Sequence, residues 1–263
     1  MNNLYDMIAL NIDLFILILI RVSGLFIIAP IFGRNNLPMI MKIGLSALVA
    51  FILLPTISTN FTLQQYSFMA LGINAAKELL LGIIIGYICF LYFSTLYLAG
   101  TIIDTQMGFG MVNVFDPQLN IQMPIMGNFY NLMVTLLFLI FDGHHLIIRG
   151  LVYSYELLPI GFTFIISEDI ISKLIVIMME VFILAFKFSA PILVTILLAN
   201  LLLGILARTM PQMNVFIVGL PFKIIIGLLT ATITLQFLVP FSERLFDRMF
   251  GALQDIMYIL SRG

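Results

Sequence analysis

The fold is decided by one stretch, residues 79–103, which reads LLLGIIIGYICFLYFSTLYLAGTII and contains no charged side chain. A helix needs about 20 mostly apolar residues to cross a bilayer, so this stretch is long enough to span one. The apolar run begins earlier, at Met69. As one helix from there it would be about 50 Å long, against a hydrocarbon core of about 30 Å. We therefore expect it to project beyond the bilayer, to tilt strongly or to break.

Further apolar runs extend this pattern over most of the chain. They cover residues 14–32, 39–57, 129–141, 174–207 and 215–241. Pro191 lies in the middle of the run 174–207, and an internal proline removes a backbone donor and kinks a helix, so a broken helix or a tight helical hairpin is expected there. The sequence predicts an all-α integral membrane protein of long, kinked hydrophobic helices and helical hairpins. We expect residues 1–263 to form a single polytopic membrane domain.

The composition excludes several classes of protein. Hydrophobic residues make up 62% of the chain and charged residues 10%, whereas about a quarter of a soluble domain is charged. A soluble fold of this size could not bury so many apolar side chains, so lipid or apolar subunits must surround it. The net charge of −1 and the lack of a basic stripe argue against a nucleic-acid partner. The single cysteine, Cys89, rules out an intrachain disulfide.

No motif for catalysis is found in the sequence. It contains no nucleophile elbow, no metalloprotease motif and no phosphate-binding loop, so we expect no enzymatic activity, no catalytic residue and no cofactor. The one cluster that resembles a metal site is Asp142-Gly143-His144-His145. Structural zinc usually takes four ligands, and adjacent histidines point apart on a helix. We therefore interpret the cluster as a polar turn between two apolar hairpin arms, and zinc binding is the less favoured alternative.

Charged residues inside apolar segments are costly, about 2.5–3.5 kcal/mol each at the bilayer centre on insertion scales. These intramembrane charges are Arg21, Lys77, Glu78, Glu180 and Lys187. Glu180 and Lys187 are seven positions apart and therefore lie near one face of a helix. One interpretation is pairing, within the chain or with other subunits, and the other is a proton or ion path. A path needs several carboxylates on one face, so we favour pairing.

The segment 104–128 is apolar but interrupted by glycines, including Gly108 and Gly110. Irregular backbone at membrane depth is tolerated only inside protein or against a water-filled cavity. Methionine side chains, such as Met107 and Met111, are soft and deformable. The segment is therefore either a plug that seals a pore or a re-entrant loop packed permanently in the core. The residues by themselves leave both alternatives open.

Matches to a known family run in order along nearly the whole chain. The most specific is residues 204–216, which read GILARTMPQMNVF and are followed by Gly219, Pro221 and Lys223. Further matches are Ala99-Gly100, Asp104, Gln106-Met107-Gly108, Asp116-Pro117 and Gly143-His144-His145. Because these matches occur in this order along the chain, the chain resembles the FliR family of flagellar export-gate proteins, whose relatives serve virulence type III secretion systems.

The resemblance implies a non-enzymatic role in protein export. Proteins of that family assemble with FliP and FliQ into a helical, pore-forming gate at the flagellar basal body, in the bacterial inner membrane. FlhB associates with the gate, while FlhA and a cytoplasmic ATPase complex supply targeting and energy. Unfolded flagellar subunits pass through the pore. The resemblance thus implies FliP, FliQ and FlhB as partners, with FlhA as a further one.

The resemblance also suggests roles for two sets of residues. The family has a plug loop in the pore lumen, which favours the plug interpretation of residues 104–128. The implied plug residues are Met107, Gly108, Phe109, Gly110, Met111, Val114 and Phe115. Subunit packing is assigned to Gly204, Arg208, Pro211, Gln212, Asn214, Phe216, Pro221 and Lys223. Within this second set, Pro211 and Pro221 are expected to fix turns, and Gln212 and Asn214 to satisfy backbone groups freed by them.

The main alternative function is a multi-pass small-molecule or ion transporter. Broken helices and charges at membrane depth occur in transporters too, usually with internal repeats, and the repeat in this chain is faint. Co-purification separates the two functions, because a gate subunit should need its hetero-partners whereas a transporter should be stable by itself. A membrane enzyme ranks third, since no catalytic constellation is present.

Overall fold

The computed structural model describes residues 2–30, 33, 38–58, 68–109, 124–162, 168–212 and 214–262. Every regular element in those residues is a helix, which confirms the all-α prediction. The described residues form eight α-helices, which are α1 (Asn2–Ile28), α2 (Met39–Ser58), α3 (Phe68–Met107), α4 (Ile125–Ile140), α5 (Gly143–Leu157), α6 (Glu168–Thr209), α7 (Val215–Thr234) and α8 (Leu238–Arg262). A short 3₁₀ turn, Leu235–Phe237, joins α7 to α8.

Several helices are suited to a membrane. In the described part of the chain, four are long and apolar enough to cross a bilayer, or five if α4 and α5 count as one bent span. Helix α3 alone has 40 residues and is therefore about 60 Å long, twice the thickness of a typical hydrocarbon core. It runs without interruption from Phe68 to Met107. Of the three outcomes expected for this segment, a break is excluded, so the helix must project or tilt.

The break predicted at Pro191 is wrong. Helix α6 continues through this proline for 42 residues, from Glu168 to Thr209. The proline ring removes one backbone donor, whereas a loop at this point would leave several backbone groups unsatisfied in an apolar environment. One missing hydrogen bond is the smaller cost. The turn expected at Pro221 is wrong for a related reason, since Pro221 lies inside α7, whereas Pro211 does lie in the turn after α6.

A break in the helical structure lies instead between α4 and α5, at Phe141 and Asp142. Asp142 has a φ angle of 54° and a ψ angle of 29°, in the left-handed region. Among side chains with a Cβ atom, Asp and Asn enter this region most readily, because their short polar groups can bond locally. The turn predicted from the polar residues between two apolar arms is therefore present, with Asp142 as the residue that turns the chain.

The chain divides into two compact units. The first comprises Met1–Tyr92, Asp142–Ile177 and Asp247–Gly263, and the second comprises Phe93–Phe141 and Met178–Phe246. Helices α3, α6 and α8 each contribute residues to both units.

In the first unit, α1 and α3 approach each other at glycines. A Cβ atom on Gly24 would lie 2.8 Å from the carbonyl oxygen of Leu79, and one on Gly86 would lie 2.9 Å from that of Leu25. At Gly82 a Cβ atom would overlap the carbonyl oxygen of Arg21. Small residues spaced in this way allow backbones to meet, and they position the charged side chains described below.

The core of the second unit is aromatic. Phe138 is fully buried and packs edge-on against Phe93 and Phe246, with ring centroids 4.9 and 5.1 Å away. Tyr130 packs edge-on against Phe188 at 5.1 Å. Edge-to-face geometry aligns the positive ring edge with the negative face of the neighbour, so these contacts hold α4 in place beside α3, α6 and α8.

Candidate functional site

The ends of the segment 104–128 are held together by one carboxylate. Asp104, near the end of α3, accepts hydrogen bonds from the backbone N–H of Met126 at 3.0 and 3.1 Å and from that of Gly127 at 3.3 Å. These donors belong to the first turn of α4, where backbone N–H groups have no partner within the helix. A carboxylate at this position also interacts favourably with the helix dipole. Asp104 thus caps α4 from another helix.

Two glycines bring the same helices into backbone contact. A Cβ atom on Gly100 of α3 would overlap the backbone of Gly127 in α4. No larger residue fits at Gly100 unless the two helices separate, and separation would pull the Asp104 carboxylate away from its donors. We call this arrangement of Gly100, Asp104, Met126 and Gly127 the loop base.

The segment expected to be a loop over residues 104–128 is shorter in the structure. Residues 104–107 form the last turn of α3 and residues 125–128 the first turn of α4. Helix α3 continues through Met107 before Gly108 turns the chain with a φ angle of 91°. Glycine is the residue that adopts this conformation at little cost. The loop therefore begins at Gly108, four residues later than expected.

The structure describes only part of the implied plug. Met107 is fully buried, and its side chain packs against Gly227, where an added Cβ atom would overlap its Cε atom. Gly108 and Phe109 are half-buried at the end of α3. Four of the implied plug residues lie outside the described residues, namely Gly110, Met111, Val114 and Phe115.

A recess of about 280 Å³ lies beside the loop base. It is lined by Ile125, Met126, Phe129, Tyr130, Leu228, Ala231, Thr232 and Leu235. Its surface is mostly apolar, and the sites that hold polar solutes need several precisely placed polar groups. The recess is thus shaped for apolar side chains rather than for a charged small molecule.

A second cluster joins three helices of the first unit through buried charges. The Nε atom of Arg21 in α1 donates to Oε2 of Glu78 in α3 at 2.5 Å, and its Nη2 atom donates to Oε1 at 3.1 Å. The guanidinium also donates to Ser154 Oγ and to the carbonyl oxygen of Leu158, both at 2.9 Å. It lies 3.7 Å from the ring centroid of Tyr155. We call this set of five residues the Arg21 cluster.

The other intramembrane charges differ in their surroundings. Lys77 donates from Nζ to the carbonyl oxygen of Phe162 at 3.0 Å. Glu180 is half-buried and Lys187 is exposed, both on α6. Sequence reasoning named the charges but missed Ser154 and Tyr155 as partners of Arg21. Neither residue type stands out in an apolar helix, and both lie more than 130 positions away in the chain.

Most of the residues assigned to subunit packing are at the surface of the chain. Those exposed are Gly204, Arg208, Pro211, Gln212, Asn214 and Pro221, while Lys223 is half-buried. The backbone of Phe216 is helical, in the first turn of α7. An added Cβ atom on Gly204 would meet nothing within 4 Å. Helices α6 and α7 also expose many apolar side chains, whereas most of α3 is buried.

The corner between α4 and α5 gathers three ionisable side chains. The ligand atoms of Asp142, His144 and His145 all lie within 4.8 Å of one another. The two imidazole rings have centroids 4.2 Å apart. The expectation that adjacent histidines point apart is therefore wrong for this pair in the first turn of α5.

Comparison with known proteins identifies relatives over almost the full length. Residues 12–249 match the family described as bacterial export proteins, family 1. The flagellar biosynthetic protein FliR of Bacillus subtilis (strain 168) is 33% identical over 99% of this chain and 99% of its own length. FliR of Escherichia coli (strain K12) is 31% identical over 91% and 90%. The secretion system apparatus protein SsaT of Salmonella typhimurium is 26% identical over 83% and 85%.

Proposed function

The chain belongs to family 1 of the bacterial export proteins, and from this premise we propose that it is a structural, non-enzymatic subunit of a flagellar type III protein export gate. The observation that carries the proposal is the match to FliR of Bacillus subtilis, which covers 99% of both chains. A flagellar role is favoured over a virulence role because the FliR relatives reach 33% identity and SsaT reaches 26%.

The proposed partners are FliP and FliQ, which would build the pore with this chain, together with FlhB and, at the cytoplasmic side, FlhA. The complex would lie in the inner membrane, at the flagellar basal body. The exposed apolar side chains of α6 and α7 support an assembly of this kind. Lipid or apolar protein must cover them, since a large exposed apolar surface marks an interaction site.

We assign the stretch from Gly204 to Lys223, in which Gly204, Arg208, Pro211, Gln212, Asn214 and Pro221 are exposed, to packing against these partners. It runs from the last turns of α6 into α7, and it combines a small residue, Gly204, with a turn at Pro211 and the charge of Arg208. Space around Gly204 is open in the isolated chain, so a neighbouring helix could approach closely there.

Within the segment 104–128, the residues after Met107, which ends α3, and before Ile125, which begins α4, are assigned to the plug of the lumen. Support comes from the loop base, where Asp104 holds the start of α4 to the end of α3. A plug has to return to the same position after each opening, and this requires a fixed attachment at both ends. Asp104 and the Gly100–Gly127 contact supply such an attachment.

The test is co-purification of the tagged chain with and without FliP and FliQ, followed by native mass spectrometry. We expect a hetero-oligomer that contains all three proteins. Gly204→Leu should reduce its yield, because the added side chain fits the isolated chain but blocks the proposed interface. The matched control is Gly72→Leu, at an exposed helical glycine with equally open surroundings. A stable homo-oligomer that is indifferent to FliP and FliQ would instead favour the transporter alternative.

A further inference from the structure

The corner at Asp142, His144 and His145 has the composition and spacing of a metal site. The Nδ1 atom of His145 lies 3.6 Å from Oδ1 of Asp142, and all three ligand atoms fall within 4.8 Å. Zinc binds imidazole nitrogen and carboxylate oxygen at about 2.0–2.2 Å, which places tetrahedral ligand atoms roughly 3.4 Å apart. Small side-chain rotations close that difference. The side chains of His145 and Asp142 are 64% and 76% exposed, so they have the room to rotate.

The backbone explains why these side chains converge. Asp142 is the N-cap of α5 in the left-handed conformation, and its carbonyl oxygen accepts the N–H of His145 at 2.9 Å. The turn sets the Asp142 side chain beside the first turn of α5 rather than behind it. The two histidines then meet with ring centroids only 4.2 Å apart. Two imidazole rings at that distance can share one cation through their ring nitrogens.

A second observation is independent of the spacing. The Nδ1 atom of His144 is enclosed by protein and has no hydrogen-bond partner among the described residues. A buried polar atom that lacks a partner costs about 1–3 kcal/mol, and such atoms call for a physical explanation. We take this nitrogen as the His144 ligand, because coordination of a cation would supply the missing partner.

From these observations we infer that Asp142, His144 and His145 bind a divalent transition-metal ion of the zinc type. Two imidazoles and one carboxylate are the ligand set that Zn²⁺ accepts at sites with an open fourth position, which water fills. The bound ion would fix the left-handed turn at Asp142. The inference does not rest on the proposed export function, because it uses only the chemistry of this corner.

The composition of the chain makes the test specific. The chain has only two histidines, both in this site, and one cysteine, Cys89, which is buried. The full chain, with its hetero-partners if they are needed for solubility, should be purified with a tag that contains no histidine. Zn²⁺ uptake is then measured by elemental analysis after equilibrium dialysis. Co²⁺ serves as a spectroscopic probe, because its visible absorption reports the number and type of ligands.

We expect about one Zn²⁺ per chain above the background of matched variants. His145→Gln should weaken the affinity at least about tenfold, since even partners of a ligand change affinity by about 10–100-fold. Asp142→Asn should also weaken it, and asparagine tolerates the left-handed conformation, so the turn is kept. Glu156→Gln, at an exposed carboxylate on the same helix, is the matched control and should leave uptake unchanged. Uptake that is absent in the parent chain, or equal in the parent and His145→Gln, would overturn the inference.

Discussion

Arg21 and Glu78 face each other in a buried ion pair with two hydrogen bonds, and their side chains are 0% and 1% exposed. The arrangement matches the fork of a guanidinium to the two oxygens of a carboxylate. Removing both charges from water is expensive, and the attraction repays the cost only when the remaining donors are also satisfied. Ser154 and the carbonyl of Leu158 provide those further acceptors. The Arg21 cluster therefore connects α1, α3 and the end of α5 at one point.

Breaking this pair from one side should destabilise the fold strongly. Glu78→Gln keeps the side-chain shape but leaves the Arg21 charge buried without compensation, at a cost of about 3–5 kcal/mol. The unfolding midpoint in a fixed detergent should fall by roughly 6–20 °C. The double variant Arg21→Met with Glu78→Gln removes the stranded charge, so its loss should be smaller than the sum of the two single losses. Additive losses would show that the two residues act independently.

The first compact unit, which contains Arg21 and Glu78, also contains an ion pair at the surface that serves as a control. Lys173 and Asp255 lie 2.6 Å apart, but their side chains are 29% and 58% exposed. Solvent screens such a pair, so Asp255→Asn should cost no more than about 1 kcal/mol. The contrast between the two pairs tests whether burial, rather than the presence of an ion pair, determines the effect.

The contact of α1 with α3 should tolerate no side chain at Gly82. A Cβ atom there would overlap the carbonyl oxygen of Arg21, and it would lie 2.9 Å from the backbone nitrogen of Leu25. Backbone atoms cannot rotate away, so Gly82→Ala should cost at least about 1–3 kcal/mol. Gly72→Ala on the same helix meets open space and should gain up to about 1 kcal/mol in helix propensity. Thermal unfolding of both variants measures the difference, and equal midpoints would refute the close approach.

The helical architecture could be predicted from the sequence because hydropathy is a local property. Residues 79–103 contain no charge, and no other element type satisfies so many backbone groups in an apolar environment except a closed barrel. The ends of helices are less predictable. Asp104 looked like the start of a loop because glycines follow it, yet α3 continues to Met107. Packing against Gly227 stabilises this last turn, and a contact with a residue 120 positions away is invisible in the local pattern.

The sequence does not reveal which residues pair within the sites either, because these contacts also join residues that are distant in the chain. Arg21 and Glu78 stand out in the sequence as embedded charges, but their separation of 57 positions allows many other pairings. The approach of the His144 and His145 rings is a matter of side-chain torsions in the first turn of α5, which helical periodicity alone does not fix. The left-handed φ angle of Asp142 and the side-chain torsions of the two histidines are not displayed by a sequence.

The cap supplied by Asp104 should stabilise the loop base. Asp104→Ala leaves the N–H groups of Met126 and Gly127 without their acceptor, and the loss of an N-cap typically costs about 0.5–2 kcal/mol. Asp104→Asn keeps one acceptor oxygen and should lose less. Added protease should then cut the segment between α3 and α4 faster in Asp104→Ala. The exposed neighbour provides the control, since Thr105→Ala should alter neither the midpoint nor the cleavage rate.

Met107 should behave as a core residue rather than as a mobile part of the plug. Because it is fully buried against Gly227, Met107→Ala should leave a cavity and cost about 2–5 kcal/mol. Gly227→Ala by itself should be mildly destabilising, since the flexible methionine can shift. In the double variant of Gly227→Ala with Met107→Ala, however, the new methyl group fills part of the cavity. The double variant should therefore be more stable than Met107→Ala alone. If Met107→Ala left the unfolding midpoint unchanged, Met107 would belong to the plug.

The plug assignment makes a prediction about ion leakage. Replacing residues 110–115 with a glycine–serine sequence of equal length keeps the connection but removes the apolar side chains, including Met111, Val114 and Phe115. If these side chains seal the lumen, the assembled gate should conduct small ions, while export of flagellar subunits persists or rises. Conductance is measured on the purified complex in a planar bilayer, and export is measured in the culture medium. The control is the same replacement in residues 59–64, which precede α3 in the sequence. It should change neither the conductance nor the export. Unchanged conductance in the 110–115 variant, with the complex intact by mass, would leave the segment as a packed loop with no sealing role.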